Sequence, residues 1–244
     1  MSEPFEPTAH AAYPGLSLRR PWTPAPLSAY RVIAFDMDST LVAIETLDEM
    51  AALMGRGAEV AAITEAAMRG EISDYKQSLR ERVALLAGMP QALADQVYDE
   101  RLTLNPGAEE LIGACKRAGL YCLLATGGFT CYTDRLRQRL GLDDVRANVL
   151  ETRDGRLTGR LLPQPWGDIC DGEEKKNKLL EVCARLGVAP EQAIAVGDGA
   201  NDLPMMRAAG LSVGFHPKPA VRREADVTIE AGGLDRLLQL FTPG

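Results

Sequence analysis

The sequence predicts an α/β fold, with a mostly parallel sheet, helices on both faces, a small helical cap inserted after the first strand, and one β-hairpin. Three observations predict it. Short apolar runs alternate with helical patterns through most of the chain, as strand–helix–strand units of a parallel sheet require. From residue 45 to about residue 104 the patterns are helical only. Residues 148–162 then interrupt the alternation with an Asp154-Gly155 turn between two extended runs, which reads as a hairpin.

Taken in order, residues 1–29 are rich in Pro and have no apolar signal core, so they read as a flexible extension and not a targeting peptide. A core domain is expected from residues 30–44 and 105–244, with its first strand at residues 32–35. The cap, residues 45–104, opens on a capping-box pattern of Thr46 with Glu49, and Gly55 and Gly57 close that first helix. A later cap helix begins near Ser73 and ends at Gly88-Met89-Pro90, with Tyr75, Leu79, Val83 and Leu86 at helical spacing. The core resumes with helices near residues 107–117, 130–140, 173–186 and 203–209. Strands are expected at residues 121–125, 193–196 and 211–215. In such a doubly wound, Rossmann-like sheet, ligands bind beyond the carboxyl ends of the strands. A cap inserted after the first strand therefore covers the site.

Bulk properties narrow the function. The chain of 244 residues, 46% hydrophobic and 25% charged, suits one large domain or a core with an insertion. Its net charge of −7 and lack of a basic run argue against a nucleic-acid partner. The five cysteines include no CxxC pair, which fits packed thiols in a reduced, cytoplasmic protein. No apolar run is long enough for a membrane span. The oligomeric state is not written in the sequence. A small anionic substrate would need a local cluster of cations or a metal.

The chemistry gathers at strand ends. Asp36 and Asp38 follow the first strand and, two apart in extended chain, face the same side. Close carboxylates raise each other's pKa unless a cation or distinct surroundings resolve the conflict. Gly197-Asp198-Gly199-Ala200-Asn201-Asp202 stands in the same setting after residues 193–196. Carboxylates with no Cys or His nearby are hard oxygen donors that favour Mg²⁺. Thr126-Gly127-Gly128 offers a hydroxyl and backbone N–H groups where a helix is expected to begin, and Lys175 or Lys176 offers a point charge. Together these suit phosphoryl transfer through an aspartyl-phosphate. In the cap, Glu45 precedes the capping box, and Arg82 lies beside the apolar stripe of its helix, where it needs an anionic partner.

The ordered strings DMDST, TGG, a Lys about 23 residues before GDGAND, and GDGAND itself resemble the haloacid dehalogenase-like superfamily of phosphohydrolases. The fuller strings FDMDSTL, ETLDE, SLRERVALL, GGF, DGRLTG and GDGANDLPM resemble its phosphoserine phosphatase family, from about Arg31 to the C-terminus. DxD alone is a weak signal, whereas the ordered set is specific. The resemblance implies Mg²⁺-dependent hydrolysis of O-phospho-L-serine, the last step of serine biosynthesis. Asp36 would be the nucleophile and Asp38 the general acid and base. Mg²⁺ would be held by Asp36, Asp198 and the backbone carbonyl of Asp38, and oriented by Asp202. Thr126, Gly127 and Lys175 would bind the phosphoryl group; the family's spacing selects Lys175 over Lys176. Glu45 and Arg82 would take the substrate's amino and carboxylate groups. Gly128 and Asn201 would contact substrate, and Met68 and Tyr75 match apolar positions that shape the pocket. Thr126 departs from the usual Ser, keeping the hydroxyl but adding a methyl that restricts χ1. The alternatives are a phosphatase or phosphotransferase acting on another small phosphomonoester, or a catalytically silent binding or regulatory protein on the same fold.

Overall fold

The alternating strand and helix patterns assemble into one large sheet. A computed structural model describes residues 8–9, 13, 15–19, 21–68 and 74–242. The elements begin with β1 (Thr8–Ala9), β2 (Leu16–Leu18), β3 (Ala25–Pro26) and β4 (Val32–Phe35). Four helices follow: α1 (Thr46–Leu53), α2 (Gly57–Met68), α3 (Tyr75–Ala84) and α4 (Gln91–Gln96). Next come α5 (Ala108–Arg117), β5 (Tyr121–Phe129), α6 (Thr130–Leu140), β6 (Asp144–Arg153), β7 (Arg156–Leu162) and α7 (Gly172–Leu186). The chain ends with β8 (Ala193–Gly197), α8 (Leu203–Ala208), β9 (Leu211–Phe215), α9 (Pro219–Glu224), β10 (Val227–Ile229) and β11 (Phe241–Thr242).

Among the described residues the main sheet has the order β1-β2-β10-β9-β8-β4-β5-β6-β7. From β10 through the first half of β6 its pairings are parallel. β4 sits between β5 and β8, so the chain winds out to one side and then to the other. That reversal opens a crevice at the carboxyl end of β4. The period of two along β4 sorts the core. Ile33 and Phe35 pack with Leu111 and Ile112 of α5 and Leu136 of α6. Val32 and Ala34 pack on the other face with Leu179 and Val182 of α7 and Met205 and Met206 of α8. All four β4 side chains are fully buried, which makes the strand a rigid base for whatever follows it.

The helices α1 to α4 stand over the crevice and are joined to the core at the β6–β7 hairpin. Gly88 N donates to Leu157 O at 2.8 Å, Leu157 N to Met89 O at 2.9 Å, and Gln91 N to Gly155 O at 2.9 Å. Lys76 of α3 adds an ion pair to Asp168, Nζ–Oδ1 3.1 Å. The hairpin turn itself has both Asp154 and Gly155 at positive φ, 50° and 71°, as a type I′ turn demands.

Several expectations need correction. Part of the supposed flexible extension is a buried strand: β2 pairs antiparallel with β10, Leu18 opposite Val227 and Leu16 opposite Ile229. Its Leu16 and Leu18 are buried in the same core as Val227 and Ile229 of β10. The capping box of Thr46 and Glu49 does not form. Glu45 is the residue before α1 and makes no side-chain cap bond; the N–H of Thr46 is taken by Asp38 Oδ1 at 2.9 Å, and Glu49 pairs with Arg101 at 2.5 Å. β5 runs on through Phe129, so no helix begins at Thr126-Gly127-Gly128. The first half of β6, too charged to read as a strand, pairs parallel with β5 before the hairpin starts. Among the described residues no helix is long and apolar enough to cross a membrane.

Candidate active site

The sheet geometry carries directly into the site. Asp36 N still donates to Val196 O at 2.9 Å, which sets the Asp36 side chain beside the end of β8 and hence beside Asp198. Met37 is fully buried beneath the loop, so the carboxyls of Asp36 and Asp38 both line a cavity of about 260 Å³. Ser39 turns the chain toward α1 with φ of 56°, and its hydroxyl donates to Glu45 Oε1 at 2.9 Å.

Two cations answer the carboxylates. Lys175, fully buried, places Nζ 2.8 Å from Asp36 Oδ1 and 2.7 Å from Asp202 Oδ1. Lys176 points away to a surface pair with Glu173, so helix facing separates the two lysines and favours the one that the family's spacing selects. Asp202 is fully engaged, because its Oδ2 accepts from Asp198 N at 3.2 Å and Gly199 N at 3.1 Å. Lys218, which the sequence reading missed, lies 2.9 Å from Asp198 Oδ2 and 3.8 Å from Glu45 Oε1.

The charges do not balance. Burial, then Glu45 and Asp36, hold the Asp38 carboxyl well above its ordinary 3.8. Burial and Asp36 also raise Asp198, and push Asp202 up to about 7. Burial would lower Lys175, but Asp202 and Asp36 outweigh it and keep the ammonium charged. Single ligand oxygens of Asp36, Asp198 and Asp202 lie within 4.8 Å of one another. Hard oxygen donors with excess negative charge fit a divalent cation such as Mg²⁺. Both oxygens of Asp202 are taken by Lys175 and two N–H groups, so Asp36 and Asp198 are the members of this cluster that could hold such an ion.

The phosphate-binding candidate is a bulged strand end and not a helix start. The β5–β6 register shifts between Ala125 and Phe129, and Thr126 Oγ1 accepts from Gly128 N at 2.9 Å. Asn148, absent from the sequence reading, pins this loop: its Nδ2 donates to Gly127 O at 2.8 Å, and its Oδ1 accepts from Cys170 N at 2.8 Å. A Cβ on Gly128 would fall 2.5 Å from Met37 Cε and 3.0 Å from Asp38 Oδ2. The loop therefore approaches the aspartates as closely as only glycine allows.

The segment of helices α1 to α4 supplies the opposite wall. Glu45, Tyr75 and Arg82 line the same cavity as Asp36, Thr126 and Asn201. Arg82 Nε is buried with no hydrogen-bond partner among the described residues. The side chain of Met68 lies outside the described residues. Asp48, one helical turn after Glu45, also lines the cavity. Of the groups missed, Lys218 had a legible signal as a cation just past the carboxyl end of β9, whereas Asn148 had none.

A family model for haloacid dehalogenase-like hydrolases matches residues 33–207. A phosphoserine phosphatase of Albidiferax ferrireducens is 64% identical over 98% of this chain and 100% of its own length. The chain belongs to the phosphoserine phosphatase family of haloacid dehalogenase-like hydrolases. A phosphoserine phosphatase of a Polaromonas species is likewise 64% identical, over 93% of this chain and 96% of its own. Among solved structures, a phospho-aspartyl intermediate analogue of phosphoserine phosphatase superposes with a TM-score of 0.80 at 38% identity, covering 87% of this chain and 99% of that one. A substrate-bound phosphoserine phosphatase complex gives 0.80 at 37% identity, with coverage of 87% and 99%.

Proposed function

We propose that this protein hydrolyses O-phospho-L-serine to L-serine and phosphate through a phosphorylated Asp36. The observation that carries the proposal is one cavity with two kinds of end. Asp36, Asp38, Thr126 and Asp198 stand with the core, while Glu45 and Arg82 face them from the cap helices. Residues 45–104 act as the cap, and residues 30–44 with 105–244 as the catalytic core.

In the first step an Asp36 oxygen attacks phosphorus, the bond to the serine oxygen breaks, and Asp38 gives that oxygen its proton. In the second step water attacks the aspartyl-phosphate, Asp38 removes the water's proton, and the bond to Asp36 breaks to release phosphate. The raised pKa of Asp38 supports its proton-carrying role, since burial and two neighbouring carboxylates favour the protonated acid. Thr126, Gly127 and Lys175 hold the phosphoryl oxygens. Asp36, Asp198 and the Asp38 carbonyl would hold Mg²⁺, with Asp202 orienting them; the ion supplies neutralisation of phosphoryl charge when bound. Glu45 takes the ammonium and Arg82 the carboxylate of serine, and Gly128, Asn201 and Tyr75 complete the pocket.

Turnover of phosphoserine, phosphothreonine and sugar phosphates, each with and without Mg²⁺, tests this reading. A kcat/KM for sugar phosphates equal to that for phosphoserine would overturn the substrate. Acid-quenched protein mixed with phosphate-labelled substrate should carry label, and Asp36→Asn should carry none.

A further inference from the structure

Tyr75 is the first residue of α3 and reaches from the cap to the core. A Cβ built on Gly127 would fall 1.9 Å from Tyr75 Oη and 3.2 Å from its Cζ. The phenol therefore stands end-on against the main chain of the Thr126-Gly127-Gly128 loop. Among the described residues its hydroxyl has no hydrogen-bond partner, yet Tyr75 lines the cavity shared with Asp36 and Thr126. An apolar side chain would fill this wall equally well, so packing alone leaves the oxygen unexplained. A hydroxyl that faces a polar cavity is free to donate to a ligand that enters it.

The position within α3 indicates which part of a ligand the hydroxyl meets. Arg82 lies seven residues further along the same helix, about 10 Å of rise from Tyr75. One helix thus presents a carboxylate-binding group and a hydroxyl at separate levels, with the hydroxyl on the loop that surrounds the phosphoryl position. Taking the aspartyl-phosphate reading above as given, we propose that the Tyr75 hydroxyl donates a hydrogen bond to a non-bridging phosphoryl oxygen, making Tyr75 a catalytic residue supplied by the cap. Burial, against the opposing pull of Lys175 and Arg82, holds the phenol above its ordinary 10.0, so the hydroxyl keeps the proton it donates. The hydroxyl completes a ring of donors with Thr126, Lys175 and the loop N–H groups. Because it comes from the cap, full phosphoryl binding requires the cap to be seated on the core.

The test compares wild type with Tyr75→Phe, which keeps the ring and its packing and removes only the oxygen. Titration calorimetry with Mg²⁺ present measures inorganic phosphate and L-serine separately. The expected result is phosphate affinity weakened about tenfold to a hundredfold, the range for a hydrogen bond to a charged group, with L-serine affinity unchanged. Unchanged phosphate affinity, or equal weakening for both ligands, would overturn the proposal. The phosphate arm stands even if wild type fails to turn over phosphoserine, so failure of the substrate reading and failure of the Tyr75 proposal are separable.

Discussion

Lys175 and Asp36 form an ion pair at the floor of the cavity, Nζ–Oδ1 2.8 Å, in which the lysine is fully buried. The same ammonium serves Asp202 at 2.7 Å, so a single cation reconciles carboxylates from two strand ends.

Removing that cation leaves two buried acids uncompensated. Lys175→Met should lower stability by about 3–5 kcal/mol, the usual cost of breaking a buried pair from one side. Urea unfolding measures it. Adding Asp202→Asn to the same chain should restore part of the loss, and no recovery would mean that Lys175 stabilises by packing.

Arg82 should act on substrate and not on the fold. Arg82→Ala is expected to raise KM for phosphoserine about tenfold to a hundredfold, while a phosphomonoester without a carboxylate is barely affected. Equal losses for both substrates would assign Arg82 a structural role.

The close approach of Gly128 to the aspartates makes a sharp prediction. Gly128→Ala puts a methyl 2.5 Å from Met37 Cε and 3.0 Å from Asp38 Oδ2, so at least one of them must shift. A misplacement of about 1 Å costs on the order of a hundredfold in rate. Steady-state kinetics should therefore show a fall in kcat, with the circular dichroism spectrum unchanged.

Away from the site, Asp144 links stability to pH. It accepts from Val145 N at 2.9 Å and pairs with Lys178 at 2.9 Å and Arg185 at 3.1 Å. Burial pushes its carboxyl up, but these partners outweigh burial and hold it below its ordinary 3.8. A depressed folded-state pKa contributes stability that is fully present above the unfolded value and is lost as pH falls through the folded one. The stability gap between wild type and Asp144→Asn should thus be constant from pH 7 to pH 5 and shrink below pH 3.8. A gap that widens with acid would reverse the assignment.

The gathering of the strand-end side chains was legible because each piece is local. Asp36, Asp38, Thr126 and Asp198 each follow an apolar run within a few residues, and an open sheet gathers such ends into one crevice. The choice of Lys175 over Lys176 came from the family's spacing; residue pattern alone left both open, because the difference lies in which face α7 turns to the sheet. β2 was illegible for a different reason: its three residues read as a strand only once β10, some two hundred residues later, supplies the partner. The false capping box shows the same limit. Thr46 and Glu49 have the right spacing, but Asp38 reaches the helix start first.

The antiparallel seat of β2 on β10 bears on how the chain can be handled. A parallel sheet that ended at β10 would present a row of free main-chain donors and acceptors, open to pairing with other molecules. Leu16–Leu18 occupies that row. Trimming the Pro-rich start as a dispensable tail would therefore bare a sticky margin at the edge of the sheet, and the damage would register as aggregation before it registered as lost turnover.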